Sequence, residues 1–479
     1  MDKVLITTAI DYVNDVIHIG HAYQKIMADV LARYYRETIG KQNVYFLTGT
    51  DENGAKALEA AKAAGKDVEE FVDFISNADK KEQDSLNISY DRFIRTTDSD
   101  HIEVVLDFWN RVAKNKNDIY LGDFKGQYCR DCEAFKTASE IKGGRCLIHP
   151  KTKLEPVTEK NYFFEWKKYI PFLKGHIKNN PNFVLPESRR NEVLAFVDKI
   201  EDITISRRKE AVPWGIEVPG DSTQVIYVWF DALINYLTAG KQKGFWDENT
   251  KIIHIIGKDN LRWHALLWPA MLKSAEYPLP STIYAHGFLT LDGQKISKSL
   301  GNIIRPTELV KKYGADAVRY YLLRYTSPED DNDISIEKLE NAYNSDLANG
   351  LGNLVARVAK LGEKIGEILI FEPQNPYLNP STDREKRIKE YIEKFYFKDV
   401  LDLIWKSISE LDSLLENEKP WEKLKSDKEV VKKLLQDVVI EIQKIAYLIE
   451  PFLPATSEMI FDQFRQNKIV YKGGIFPRK

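Results

Sequence analysis

The sequence predicts an α/β fold: a parallel sheet interrupted by an insert and followed by an α-helical bundle. Three observations predict it. Short runs rich in β-branched and apolar residues alternate with helical patterns over 1–116 and again from 221, the grammar of a parallel sheet with crossover helices. The stretch between them, 117–220, drops that alternation and holds all 3 cysteines. Beyond about residue 301 the strands thin out and Leu/Ile-periodic helices take over. At 479 residues the chain exceeds one core, since domains typically hold about 100–200 residues.

In order, "KVLITTAI" is a short buried strand, and "HAYQKIMADVLARYY" is a long amphipathic helix with Ile26, Met27, Val30, Leu31 and Tyr34 on one face. "NVYFLTGT" is the next strand, followed by helices near 55–64 and 72–86. Segment 117–220 reads as an inserted domain of short strands and loops, "KNYFFEWKKY", "ESRRNEVLAFV", "DITISR" and "VPWGIEVP" among them. The α/β pattern resumes through "QVIYVWFDALINYLTAG", "KIIHIIGKDNLRWHALLWPAMLK" and "TIYAHGFLTLDGQKISKSLGN" over 221–300, so the sheet is split in sequence and joined in space. A connecting region, 301–345, leads to a bundle over 346–479. There Leu347, Leu351, Leu354, Val358, Leu361, Ile365 and Ile368 recur at spacings of 4 and 3, which makes a buried seam. "FEPQNPYLNPST" is a connector between helices.

Composition excludes some functions. The charge is −3, from 69 basic and 72 acidic residues, so no global positive field holds a nucleic acid and any such partner needs local, shaped contacts. No apolar run approaches the roughly 20 residues of a membrane span, and the first residues read as a strand, not a signal peptide. The expected location is cytoplasmic, with no membrane partner.

The cysteines carry the first chemical signal. Cys129 and Cys132 form a C-x2-C turn, and Cys146 with His149 a C-x2-H turn. Two knuckles of this kind supply the four N/S ligands of a closed tetrahedral zinc site. With four protein ligands the role is structural. The H-x-E box of a zinc deaminase is missing.

Two further motifs lie in the α/β halves. "HIGH", His18 to His21, stands where a strand crosses to a helix, and the N–H groups and dipole of a helix mouth attract anions; Gly20 would let a phosphate approach the backbone. "LDGQKISKSLGN" opens with the turn dipeptide Asp292-Gly293 and brackets two serines between Lys295 and Lys298, a loop able to swing onto a polyphosphate. Together these resemble the two signatures of class I aminoacyl-tRNA synthetases, with Ile296 where Met is usual. "AIDYVNDVIHIGH", "FLTGTDENG", the zinc knuckle, "YVWFDALINY", "IGKDNLRWHALLWPAML" and the "PW" of "NEKPWEKL" are similar to the methionyl-tRNA synthetase family over nearly the full length. An insert of about 100 residues is small for the editing domain of the isoleucine, leucine and valine enzymes.

The resemblance implies a Rossmann-type catalytic domain, a zinc-containing connective insert and an anticodon-binding bundle. It implies that ATP, with Mg2+, meets His18, Gly20, His21, Gly257, Asp259, Lys295 and Lys298, of which His18, His21, Lys295 and Lys298 are catalytic. L-Methionine would bind Ile10, Tyr12, Asp51, Trp229, Ala232, Leu233, Tyr236, His264 and Trp268, with Tyr12 and His264 as polar tips and Asp51 on the amino group. Unbranched, polarizable thioethers suit such aromatic surroundings. Asn353, Arg357 and Trp421 would read the tRNA(Met) anticodon. The sequence shows no appended dimerisation domain, so a monomer is expected. Asp11, Asn53 and Asn260 depart from the family's usual residues around the pocket. Two rival readings are a synthetase-derived tRNA-binding protein without activity and a nucleotidyltransferase making a small-molecule adenylate. Intact signatures speak against the first, and the zinc insert with a helical bundle against the second.

Overall fold

The computed structural model describes residues 3–115, 118–132, 134–136, 140–296 and 301–479. Contacts divide the chain into two units. One comprises Met1–Ile17, Tyr45–Lys81 and Tyr90–His286, the other His18–Val44, Glu82–Ser89 and Gly287–Lys479.

The first unit is built on a seven-stranded sheet. Its order is Val184–Leu185, Thr282–His286, Thr250–Gly257, Lys3–Thr8, Val44–Asp51, Asp11–Tyr12, with Arg92–Arg95 also pairing to Val44–Asp51. Pairings across the sheet are parallel. The strand Val44–Asp51 is buried at every position, as expected for a parallel strand covered on both faces. From Lys3–Thr8 the chain adds Val44–Asp51 and Arg92–Arg95 to one side and Thr250–Gly257 and Thr282–His286 to the other. The order therefore reverses between Lys3–Thr8 and Thr250–Gly257, whose register runs from Lys3↔Thr250 to Thr8↔Ile255. In doubly wound sheets the crevice outside the carboxyl ends at such a switch point is where ligands bind. Ile10 and Tyr12 follow one of these strands; Gly257 ends the other and Asp259 follows it.

Within 117–220 a four-stranded antiparallel sheet, Ile203–Thr204, Glu155–Phe164, Ile119–Cys129 and Ala134–Lys136, carries the knuckle region. Two segments differ from the reading of strands and loops. Ile170–Asn179 and Glu187–Phe196 are helices. The second buries only Val193, so it has no apolar stripe for periodicity to register. Val184–Leu185, between them, pairs with Thr282–His286 in the main sheet.

The second unit contains the helix Ile19–Ile39. It is not amphipathic: Lys25 and Asp29 are buried along with the expected apolar face. Burial of the Asp29 carboxylate is offset by Arg319, itself fully buried, at 2.7 Å, by Arg33 at 2.8 Å and by the Ser89 backbone N–H at 2.7 Å. These interactions hold the carboxyl below its ordinary range against the upward push of burial. Toward the C-terminus, a π-helical segment Tyr343–Gly352 runs into the helix Asn353–Ile365, followed by Phe397–Glu418, Lys428–Ile449 and Pro454–Phe464. All seven seam residues from Leu347 to Ile368 are buried. Among the described residues no helix is long and apolar enough to cross a membrane.

Candidate active site, metal centre and anticodon surface

In the second unit, the two histidines of "HIGH" close the start of the helix Ile19–Ile39 on each other. His18 is the N-cap: its Nδ1 accepts from the Gly20 backbone N–H at 3.1 Å, while the His18 backbone N–H donates to Nδ1 of His21 at 3.2 Å. An imidazole nitrogen that accepts carries no proton, so in the neutral rings the proton sits on Nε2. The capping geometry thus makes Nε2 the donor nitrogen of each ring. The ring centroids are 4.0 Å apart. Gly20 has a local reason to be glycine: a Cβ there would lie 2.9 Å from Cε1 and 3.0 Å from Nδ1 of His18, displacing the cap.

The hairpin Leu289–Leu291 to Gln294–Lys295 turns through Asp292 and Gly293, both with positive φ, the geometry of a two-residue hairpin turn. Lys295 is exposed and Ile296 is buried. The Cβ direction of Gly20 points to Ile296 Cδ1 at 3.9 Å, so the residue that stands where Met is usual packs at the helix mouth. The Ile19 N–H donates to the Ile304 carbonyl at 3.0 Å, and Asn302 Nδ2 donates to the Lys295 carbonyl at 3.0 Å. Lys298 lies outside the described residues.

In the first unit, aromatic side chains from Tyr12, Trp229 and Trp263 pack together. Trp229 stacks on Trp263 at 4.5 Å and meets Tyr12 edge-on at 6.4 Å. Tyr12 pairs in register with Asp51, which is buried at the end of its strand. Ala232, Leu233, Tyr236, His264 and Trp268 are all buried, and Ile10 packs against the same core. The Tyr236 hydroxyl lies 2.7 Å from His264 Nε2, and His264 Nδ1 lies 2.9 Å from the Asn260 carbonyl. A carbonyl only accepts, so Nδ1 carries the proton and Tyr236 donates to Nε2. Burial pushes His264 down to about 4, against a small upward effect of the Asn260 carbonyl. His264 sits in a π-helical stretch, Trp263–Leu267, a distortion frequent at functional sites. Gly257 is buried, and a Cβ there would come within 2.7 Å of Asp259 Oδ1.

Two of the unusual residues have structural explanations. Asn260 contributes through its backbone carbonyl, which any residue supplies. Asn53 Nδ2 donates to Asp231 Oδ2 at 2.6 Å, and the other oxygen of Asp231 meets His101 Nε2 at 2.8 Å. That network braces the helix Val228–Leu233, which carries Trp229, Ala232 and Leu233. Sequence reasoning missed Trp263, His101 and Asp231, whose partners are far away in the chain. It also missed His254, for which a histidine inside "IIHII" was an available signal.

The four metal-ligand candidates converge. One ligand atom from each of Cys129, Cys132, Cys146 and His149 lies within 4.8 Å of all the others. Cys132 Sγ is 3.5 Å from Cys146 Sγ and 3.1 Å from His149 Nδ1. With Zn–S near 2.3 Å, tetrahedral ligands stand about 3.8 Å apart, so the set fits zinc. Burial pushes the Cys132 thiol up to about 12, so a metal has to displace protons to bind.

On the bundle, Asn353 and Arg357 lie one turn apart on the helix Asn353–Ile365. The Arg357 guanidinium lies 5.1 Å from the Trp421 ring centre, held by Asp412 at 3.3 Å and Glu416 at 2.7 Å. Trp421 is 43% exposed and Asn353 is exposed. The surface joins an open indole face to a fixed cation and an amide, which suits stacking and edge recognition of unpaired bases.

The family described as "tRNA synthetases class I (M)" matches residues 4–156 and 140–359. The methionine–tRNA ligase of Caldanaerobacter subterraneus is 39% identical over 475 residues, covering 96% of this chain and 73% of that protein. That of Thermosynechococcus vestitus is 40% identical over 494 residues, covering 98% and 92%. The structure of Mycobacterium tuberculosis methionyl-tRNA synthetase in complex with methionyl-adenylate superposes with a TM-score of 0.91 at 35% identity, over 100% of both chains.

Proposed function

The chain belongs to the methionyl-tRNA synthetases of class I, and from that membership we propose how its residues divide the reaction. The activity is methionine–tRNA ligation. The methionine carboxylate attacks the α-phosphorus of ATP, the bond to the bridging oxygen breaks, and pyrophosphate leaves methionyl-adenylate. The 3′-terminal ribose of tRNA(Met) then takes the methionyl group and AMP departs.

No protein nucleophile is needed, so catalysis is positioning and stabilisation of charge on phosphoryl oxygens. His18 and His21 donate to those oxygens through Nε2–H. Lys295, together with Lys298, neutralises the leaving pyrophosphate. Gly257 lets adenosine approach the strand end, and Asp259 accepts from its ribose hydroxyls. Asp51 holds the substrate ammonium group. Ile10, Tyr12, Trp229, Ala232, Leu233 and Trp268 surround the thioether, with the Tyr236–His264 pair at its polar end. Asn353, Arg357 and Trp421 receive the anticodon bases.

Cys129, Cys132, Cys146 and His149 would hold a structural zinc that stiffens the knuckle. Mg2+ accompanies ATP. The organisation we propose has catalytic halves 1–116 and 221–300, a connective insert 117–220, a stem-contact region 301–345 and an anticodon bundle 346–479, with Val184–Leu185 returning to the catalytic sheet. We place the protein in the cytoplasm as a monomer.

The observation that carries this division is the reciprocal capping of His18 and His21, which assigns the donor nitrogen of both rings. It is tested by methionine-dependent ATP–pyrophosphate exchange with His21→Ala. Loss of one preorganised donor typically costs about 2.7–4 kcal/mol, on the order of 10²–10³ in rate. Methionine binding should be little changed. A rate within a few-fold of wild type would show that His21 serves the helix end only.

A further inference from the structure

His254 occupies the centre of the apolar run "KIIHIIG", with two isoleucines on each side, and is completely buried. Its register partner across the central strand pair is Thr7, whose hydroxyl lies 2.6 Å from His254 Nδ1. On the other side the Trp268 indole N–H donates to Nε2 at 3.2 Å. An indole nitrogen only donates. Nε2 is therefore the unprotonated nitrogen, and the proton on Nδ1 goes to Thr7. The imidazole also lies 4.3 Å from the Tyr236 ring centre, at 33° to its plane.

An aliphatic residue would fill this strand position without burying a polar ring, which costs free energy unless its nitrogens are bonded. Both are bonded here, and what they add over a methyl group is direction. The indole of Trp268 is turned by an acceptor fixed to the central strand, and Tyr236 packs on the same ring.

We propose that His254 is a positioning residue for amino-acid selection: bridging Thr7 and Trp268, it locks the Trp268 indole and the Tyr236 ring into one wall of the methionine pocket. The inference rests on the reading of Trp268 and Tyr236 as pocket residues. The wall's shape then matches an unbranched thioether, and a side chain longer by one methylene, as in ethionine, is rejected by its rigidity.

The test is ATP–pyrophosphate exchange with methionine and ethionine, comparing His254→Leu, His254→Gln, Thr7→Val and Trp268→Phe with the wild-type enzyme. His254→Leu removes the acceptor. It should raise the methionine KM by about five-fold or more, the factor one buried hydrogen bond represents, with kcat nearly unchanged and the methionine-over-ethionine preference reduced. His254→Gln keeps an acceptor for the indole and should recover most of both, and Thr7→Val should fall between. If Trp268→Phe shifts KM and preference but His254→Leu does not, the inference is overturned. It is also overturned if His254→Leu lowers kcat alone, or if Gln rescues nothing. If Trp268→Phe changes neither quantity, the pocket reading itself fails. Should His254→Leu not fold, Thr7→Val decides, and wild-type KM and preference there overturn the proposal.

Discussion

Replacing Tyr236 with phenylalanine removes a single buried oxygen. Tyr236 is 1% and His264 2% exposed, and the hydroxyl donates to His264 Nε2 at 2.7 Å. Turning the imidazole over would not help, because Nδ1–H is already given to the Asn260 carbonyl at 2.9 Å. Without the hydroxyl, Nε2 is a buried acceptor that has lost its donor. Leaving one buried polar atom unsatisfied costs about 1–3 kcal/mol. If the Tyr236–His264 pair forms the polar end of the methionine site, much of this cost falls on substrate recognition. The methionine KM in pyrophosphate exchange should then rise by about 5- to 150-fold, while the ATP KM stays close to wild type. A folded Tyr236→Phe enzyme with a methionine KM within two-fold of wild type would refute the placement of this pair at the amino-acid site.

The proposed anticodon surface predicts a separation of activities. Trp421→Ala should lower tRNA charging efficiency by about 10- to 100-fold, from the roughly 1–3 kcal/mol of one base stack, with exchange in the absence of tRNA unchanged; a parallel fall in both would refute it. The metal centre predicts one zinc per chain by elemental analysis, and faster backbone hydrogen exchange around Cys129 and Cys146 after chelation. A chain with well under one zinc and unchanged exchange would count against it. Acid stability should reflect the buried histidines. His264, held down to about 4 by burial, is neutral in both folded and unfolded chains above the usual value near 6.5. As pH falls from there toward 4 only the unfolded chain takes up the proton, so up to about 3 kcal/mol of stability is lost. Burial also lowers His254, which adds to the same slope. Denaturation midpoints at pH 7 and 5 measure it, and an undiminished drop in His264→Phe would contradict the assignment.

Much of the local architecture was legible because it is written in short spacings. The seam from Leu347 to Ile368 follows from helical periodicity, and the turn at Asp292-Gly293 from a dipeptide that tolerates positive φ. The cysteine and histidine knuckles meet because each pair is separated by only two residues and the two pairs are close in the chain. The helix Glu187–Phe196 left no trace in periodicity, since a helix that buries one residue has no stripe. The burial of every residue over 22–32 was equally hidden, because Asp29 reads as a solvent-facing residue until its partner is known.

The sequence alone determined the element types outside the two helices of the insert, the split of the sheet around that insert and the motif pairs that mark the chemistry. These depend on backbone preferences and side-chain spacing within a few residues. Only the tertiary structure decided which polar atoms satisfy one another. Asp29 is buried because Arg319 arrives from another helix, Asn53 is useful because Asp231 lies beside it, and His254 aims Trp268 because Thr7 pairs with it across the sheet. A buried polar group is tolerated only where its partner is brought to hydrogen-bond distance, and that meeting is made by packing between distant segments, which no local pattern encodes.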